Sequence, residues 1–258
     1  MKRSIAVVSF LLWMGILLSA FYVVQKPGLL NVFSGLVDML WTIIVAALLL
    51  FNAYGIGTRI LSWLGLKSID EVDRLLLGFG AGLGVLGLLG LAFSAAQIAR
   101  APIFFFVLIG LTVFFAFKKD LGNLRADFRV FASHWNLSFS QYNLFTKLIL
   151  VLLLTSSFLL TLVPGFEAFD ALLYHLAQPA RVLQDGGLQP VDVPHFWFPN
   201  VTENLYLWAL ALGSERAAQM LHFTWGVLSA LLLWRWAVKV WSIEIGRKAL
   251  LLLATIPS

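Results

Sequence analysis

The chain has 258 residues, 60% hydrophobic and 12% charged, with 10 Trp, 22 Phe, no Cys and a formal charge of +5. At a mean hydropathy of +0.91 there are too few polar residues to coat a water-soluble globule, which excludes a soluble domain. The basic balance (pI about 9.6) serves orientation in a bilayer rather than nucleic acid, and the lack of Cys excludes disulfides and thiolate metal sites.

A bilayer core about 30 Å thick takes about 20 mostly apolar residues per helical crossing. Such runs lie at 5–24, 36–57, 75–97, 102–117, 146–163 and 217–234, so the chain reads as an all-α polytopic membrane protein with about six complete crossings. The first run follows Lys2 and Arg3. It is longer than the apolar core of a signal peptide, about 7–15 residues, and reads as a retained anchor.

In the third run, Gly82, Gly84 and Gly87 spell G-x-G-x-x-G, but an apolar crossing lacks the strand and βαβ unit that a dinucleotide site requires. Gly78 to Gly82 and Gly80 to Gly84 have the small-xxx-small spacing that lets another helix approach closely. Between 118 and 145, Leu121, Leu124, Phe128 and Phe131 recur at helical spacing beside Lys and Arg. That pattern predicts a basic amphipathic helix on an anionic leaflet, with His134 and Trp135 as interface anchors.

The run 201–213 has an apolar core of about 10 residues, half a crossing. Leu205, Trp208, Ala209 and Leu212 follow i, i+3, i+4, i+7, so it reads as a helix lying in the interface. A seventh apolar run begins at Ala249 and reaches Ser258 after about half a crossing. A helix stopped inside hydrocarbon leaves carbonyls without partners, so we read a truncated seventh crossing and a fragment of a longer protein.

With the N-terminus cytoplasmic, the inner segments hold Lys2, Arg3, Arg59, Lys67, Arg74, Lys118, Lys119, Arg125, Arg129, Lys147, Arg235, Lys239, Arg247 and Lys248, 14 of the 18 basic residues. The outer segments hold Lys26, Arg100, Arg181 and Arg216. This is the positive-inside pattern, and it places the loop 164–216 outside the cytoplasm, with a bacterial inner membrane as the expected location. That loop carries six acids, Glu167, Asp170, Asp185, Asp192, Glu203 and Glu215, against two basic residues.

Within it, Phe166 to Ala177 reads as a short helix with Asp170 near its N-terminus, where the macrodipole favours a carboxylate. Pro179 cannot donate to the carbonyl of His175 and predicts a kink or restart. In "VDVPHFWFPNVTEN" the aromatics can cover an apolar ligand at headgroup level, with His195, Asn200 and Glu203 as polar contacts. A lone His is more often an ordinary surface or packing residue than a ligand, and no His/carboxylate pair has metal-ligand spacing, so no metal site is expected.

The stretch "FDALLYHLAQPARVLQDGGL...PHFWFPNVTENLYLWALALGSERAAQMLHF" resembles the first outer loop of bacterial GT-C membrane glycosyltransferases, of the dolichyl-phosphate-mannose-mannosyltransferase-like group. Asp170, Tyr174-His175, the Pro- and Gly-bounded helix, Phe198-Pro199, Glu203 and the apolar helix after it carry the likeness, over 165–225. The resemblance implies inverting transfer of a sugar from a polyprenyl-phosphate donor to a glycan, lipid or protein acceptor outside the cytoplasm. It makes Asp170 the general base. Arg181, His175 and His195 are candidates to receive the leaving phosphate's charge, and Glu167, Tyr174 and Glu203 are further candidate substrate contacts. In that family the Asp loop follows the first crossing, whereas four more crossings precede it here. Residues 1–145 therefore read as an N-terminal extension and 146–258 as the start of the GT-C-like core.

The competing reading is a non-enzymatic transporter or assembly subunit handling lipid-linked glycans. A transporter is expected to carry ionisable groups inside its crossings, and the sequence reads as having almost none.

Overall fold

A computed structural model describes residues 12, 13, 15, 16, 29–66, 69–162, 175–190 and 200–255. Among the described residues there are helices and no strand. The helices are α1 (Leu29–Trp63), α2 (Glu71–Ala95), α3 (Ala101–Phe117), α4 (Asp120–Ser140), α5 (Leu144–Leu160), α6 (Ala177–Asp185), α7 (Val201–Ala211), α8 (Glu215–Val240) and α9 (Ile243–Thr255).

The expectation of six complete crossings is corrected. Among the described residues three helices are long and apolar enough to cross a membrane: Phe33–Trp63 within α1, Glu71–Ala95 and Glu215–Val240. A fourth results if α3 and α4 count as one span bent by 75°. The apolar run of α3 stops at Lys118-Lys119, where Lys119 adopts a left-handed conformation (φ 61°) and the chain turns into α4. Both α3 and α5 have 17 residues, a rise of about 26 Å, short of a core of about 30 Å. The run 5–24 lies outside the described residues apart from 12, 13, 15 and 16. The apolar run that begins at Ala249 lies in the helix Ile243–Thr255, which starts earlier than that run and packs back on α8, with Gly246 against Val238 and Trp234.

A stripe of small residues on α2 organises the bundle. A Cβ added at Gly82 would lie 1.7 Å from the Ala53 carbonyl oxygen, and one at Gly57 1.8 Å from that of Gly78, so α1 and α2 touch backbone to backbone. Gly80 and Gly84 have nothing within 4 Å of such a Cβ. Of the two glycine spacings, Gly78–Gly82 therefore makes the contact. Farther along, a Cβ at Gly87 or Gly90 would lie 2.6 Å from the Val201 and 2.3 Å from the Asn204 carbonyl oxygen of α7. In hydrocarbon, where burial drives helices together weakly, such contact and interhelical hydrogen bonds supply the attraction. Asn52 of α1 donates to Thr112 of α3 at 2.7 Å, and Thr42 meets Ser214 at 3.0 Å.

The interfacial reading of 201–213 is also corrected. Residues 203–209 of α7 are all buried, with Leu207, Trp208 and Ala209 fully so. Trp208 donates to the Leu86 carbonyl at 2.8 Å and packs edge-on against Phe104 at 4.9 Å. The short helix is accommodated inside the bundle because Gly87 and Gly90 leave it room. The core joins residues from both sides of position 145, from Val45 to Leu228.

Charges divide between the two ends of the long helices. At the basic end, Arg59 pairs with Asp120 at 2.9 Å, Arg74 pairs with Asp127, and Arg235 and Lys239 pair with Asp70 and Asp73. At the opposite end, which we term the loop end, Arg216 pairs with Asp38, and Trp41 donates to the Leu212 carbonyl at 2.8 Å. The predicted helix at 118–145 exists as α4, but Asp120 and Asp127 are its buried residues while Leu121 and Phe128 are exposed. Trp135, read as an interface anchor, meets Trp234 of α8 edge-on at 5.6 Å.

Asp70 serves twice, as the N-cap of α2, accepting from Asp73 N–H at 2.9 Å, and as the partner of Arg235 and Lys239. Burial opposes its ionisation, but hydrogen bonds from Lys239, the Asp73 amide and Arg235 outweigh that and hold the carboxyl well below the usual range. Because the folded pKa is depressed, the contribution is complete above about pH 4 and is lost as pH falls through the folded value. Asp70→Asn keeps a capping side chain and loses the charge, an expected cost of about 0.5–1 kcal/mol. Asp70→Ala also loses the cap and is expected to cost about 1 kcal/mol more. Thermal unfolding of both variants in detergent checks the difference; equal losses would mean the cap contributes nothing.

Candidate functional site

The loop-end site is built on α6, α7 and the first turns of α8. Helix α6 starts at Ala177, so Pro179 falls in its first turn, where a missing N–H costs nothing. The short helix expected over 166–177, which would kink or restart at Pro179, lies mostly outside the described residues. Helix α6 stops at Gly186, in the left-handed region (φ 80°), whose N–H donates to the Val182 carbonyl at 2.9 Å. The turn after it is tied to the α2–α3 connection. Ala99 N–H donates to Gly186 O at 2.9 Å, Leu188 N–H to Ser94 O at 3.0 Å, and Gln97 Nε2 to Leu188 O at 2.7 Å.

Helix α7 is held as firmly. Asn204 donates to the Asn200 carbonyl at 2.6 Å and accepts from the Ser94 hydroxyl at 3.1 Å. Glu203 and Tyr206, three residues apart, share one helix face. Glu203 Oε1 lies 2.7 Å from His175 Nδ1, and the Tyr206 hydroxyl lies 2.7 Å from His222 Nδ1 on α8. Because Glu203 and Tyr206 share a face of α7, the two pairs, His175–Glu203 and Tyr206–His222, stand on the same side of that helix.

Glu203 is buried, and the His175 side chain is about one-third exposed. With Glu203 ionised, His175 Nδ1–H is the donor, which selects the tautomer and holds the ring. Burial, reinforced by the charge of Glu203, pushes the Tyr206 phenol above its ordinary value, so Tyr206 is a neutral hydroxyl at physiological pH. The site therefore offers a held imidazole and a neutral hydroxyl. The imidazole donates its second N–H to a developing anion only when both ring nitrogens are protonated, while the buried Tyr206 hydroxyl is engaged with His222.

The residues singled out in the sequence are only partly brought together. His175 and Glu203 converge. Arg181 instead pairs with Asp185 at 3.3 Å on the surface of α6, beside a cavity of about 30 Å³ also lined by Gln178 and Gln189. Glu167, Asp170, Tyr174 and His195 lie outside the described residues. No group of three or more His, Asp or Glu able to hold a metal ion occurs among the described residues.

Tyr206 and His222 were missed. His222 lies inside 217–234 and in the helix Glu215–Val240, which corrects the reading that the crossings carry almost no ionisable group. The signal was available, since an ionisable residue inside an apolar crossing is a functional candidate by default. Compared with known protein families, curated proteins and solved structures, the chain matches none.

Proposed function

We propose that the protein transfers a sugar from a polyprenyl-phosphate donor to an acceptor hydroxyl at the extracytoplasmic face of a bacterial inner membrane, with inversion. The observation that carries this reading is the convergence of His175 and Glu203, 28 residues apart in sequence, with Tyr206 and His222 at the loop end of an apolar bundle. A lipid-linked donor requires apolar helices beside a polar site, and this arrangement has both.

In the proposed step, the acceptor oxygen attacks the anomeric carbon from the face opposite the phosphate. The bond from that carbon to the phosphate oxygen breaks, and its electron pair stays on the polyprenyl phosphate. The hydroxyl proton passes to the carboxylate of Asp170. Asp170 lies five positions before His175, a tether of at most about 18 Å. His175, protonated on both ring nitrogens, donates its Nε2–H to the departing phosphate, and Glu203 acts as a positioning residue by accepting from its Nδ1–H.

The test is the whole chain in membranes supplied with a radiolabelled polyprenyl-phosphate hexose. Label in an acceptor, with release of polyprenyl phosphate, supports transfer; an unconsumed donor overturns it. Glu203→Gln is expected to lower turnover on the order of 10²-fold with little change in donor KM, because a ring displaced by about 1 Å costs that much. An unchanged turnover and pH profile would remove Glu203 from the site.

His222 inside a crossing favours a second reading, a carrier of lipid-linked glycans. Passage of an intact lipid-linked sugar across a vesicle membrane, with no sugar transferred, distinguishes it.

A further inference from the structure

A second polar site lies at the basic end. Helix α4 leaves α3 at 75°, so with α3 along the bundle α4 runs across its end, close to the plane of a membrane surface. Its two acids, Asp120 and Asp127, are both turned inward and taken by Arg59, Arg74 and Tyr54. The inward pairing leaves the positive charge of α4 uncompensated on its outer side. Arg125 and Arg129, one turn apart and exposed, make no ion pair among the described residues.

Arg125 and Arg129 border an open, largely apolar groove of about 460 Å³ together with Leu124, Phe128 and Phe79 of α2. Two apolar residues at i, i+4 and two arginines at i, i+4 thus form adjacent stripes beside an aromatic wall supplied by a spanning helix. An amphiphile with an anionic head and a hydrocarbon tail complements both at once: guanidinium groups bind phosphate oxygens through paired N–H donors, and the aromatic wall accepts a chain. Neither an inorganic ion nor a neutral lipid satisfies both halves. We infer that this groove binds an anionic glycerophospholipid of the surrounding leaflet, with its phosphate on Arg125 and Arg129 and an acyl chain against Phe79, Leu124 and Phe128.

The groove is more specific than a charged helix resting on a surface. Lys118 and Lys119 precede the same helix, but Lys118 lies over the Phe114 ring at 5.9 Å and neither lysine lines the groove. Removing them therefore separates general charge from the site itself.

The experiment is native mass spectrometry of the purified whole chain in detergent, titrated with phosphatidylglycerol, phosphatidylcholine of the same acyl chains, and inorganic phosphate. Wild type is expected to retain phosphatidylglycerol at least about tenfold better than phosphatidylcholine. Arg125→Gln/Arg129→Gln is expected to abolish that preference, whereas Lys118→Gln/Lys119→Gln keeps most of it. Phe128→Ala is expected to weaken retention of both lipids. If the double glutamine variant fails to fold, Arg125→Lys/Arg129→Lys retains the charge and is expected to keep part of the preference while losing paired donation. Equal retention of the two lipids by wild type, an unaltered preference in both arginine variants, or full displacement of phosphatidylglycerol by millimolar phosphate would each overturn the assignment.

Discussion

Asp170→Asn is expected to lower sugar transfer by about 10²–10⁴-fold, the usual contribution of a general base, while the protein still inserts into membranes. Asparagine matches aspartate in shape and can still accept a hydrogen bond, but it cannot take the acceptor's proton. Transfer in membranes carrying equal amounts of each protein measures the effect, and alkaline extraction checks insertion. A variant as active as wild type would remove Asp170 from the chemistry. The natural chain has no cysteine, so Asp170→Cys introduces a unique thiol. A membrane-impermeant maleimide is expected to reach it from the extracytoplasmic side. Labelling only from the cytoplasmic side would overturn the proposed orientation and the role together.

The second large effect is on stability. Asp127 is fully buried and accepts from the Tyr54 hydroxyl at 2.7 Å, from Arg74 Nε at 2.9 Å and from a second Arg74 nitrogen. Asp127→Ala would leave a part-buried guanidinium and a phenol without their acceptor, at an expected cost of about 3–5 kcal/mol. Removing both charges is far milder, because the penalty comes from the charge left behind. Arg74→Met/Asp127→Leu is therefore expected to recover most of the loss. Unfolding followed by tryptophan fluorescence in detergent gives both numbers. Equal destabilisation by the single and double variants would show that Asp127 acts through packing rather than charge.

This latch shows why α4 was only half legible. Leu121, Leu124, Phe128 and Phe131 repeat at helical spacing, and a helix forms there. The same period, however, places Asp120 and Asp127 two turns apart on one face, and that face is the one turned inward. Periodicity reports which residues share a face, not what lies opposite. Arg59 and Arg74 arrive from α1 and α2, and their distance from Asp120 and Asp127 is a property of packing.

Helix α7 makes the same point for the site. Its apolar core, too short to span, fitted an interfacial helix as long as its neighbours were unknown. Gly87, read in the sequence only as the last glycine of G-x-G-x-x-G, and Gly90, which no pattern singles out, create the recess that buries it. Once buried, Glu203 needs a partner and has His175, while Tyr206 reaches His222. His175 and Glu203 could be picked out singly, yet nothing in their spacing announced the pair.

By itself the sequence determined the helical membrane class, a glycine-rich helix suited to close packing, and the separation of basic residues along the chain. These follow from local composition, backbone chemistry and periodicity, which act over a few residues. Only the tertiary structure decided how many helices are long enough to span, that α7 lies inside the bundle, and that His175 meets Glu203 and Tyr206 meets His222. Those outcomes depend on how closely separate helices approach, and that distance is set by packing across the whole bundle.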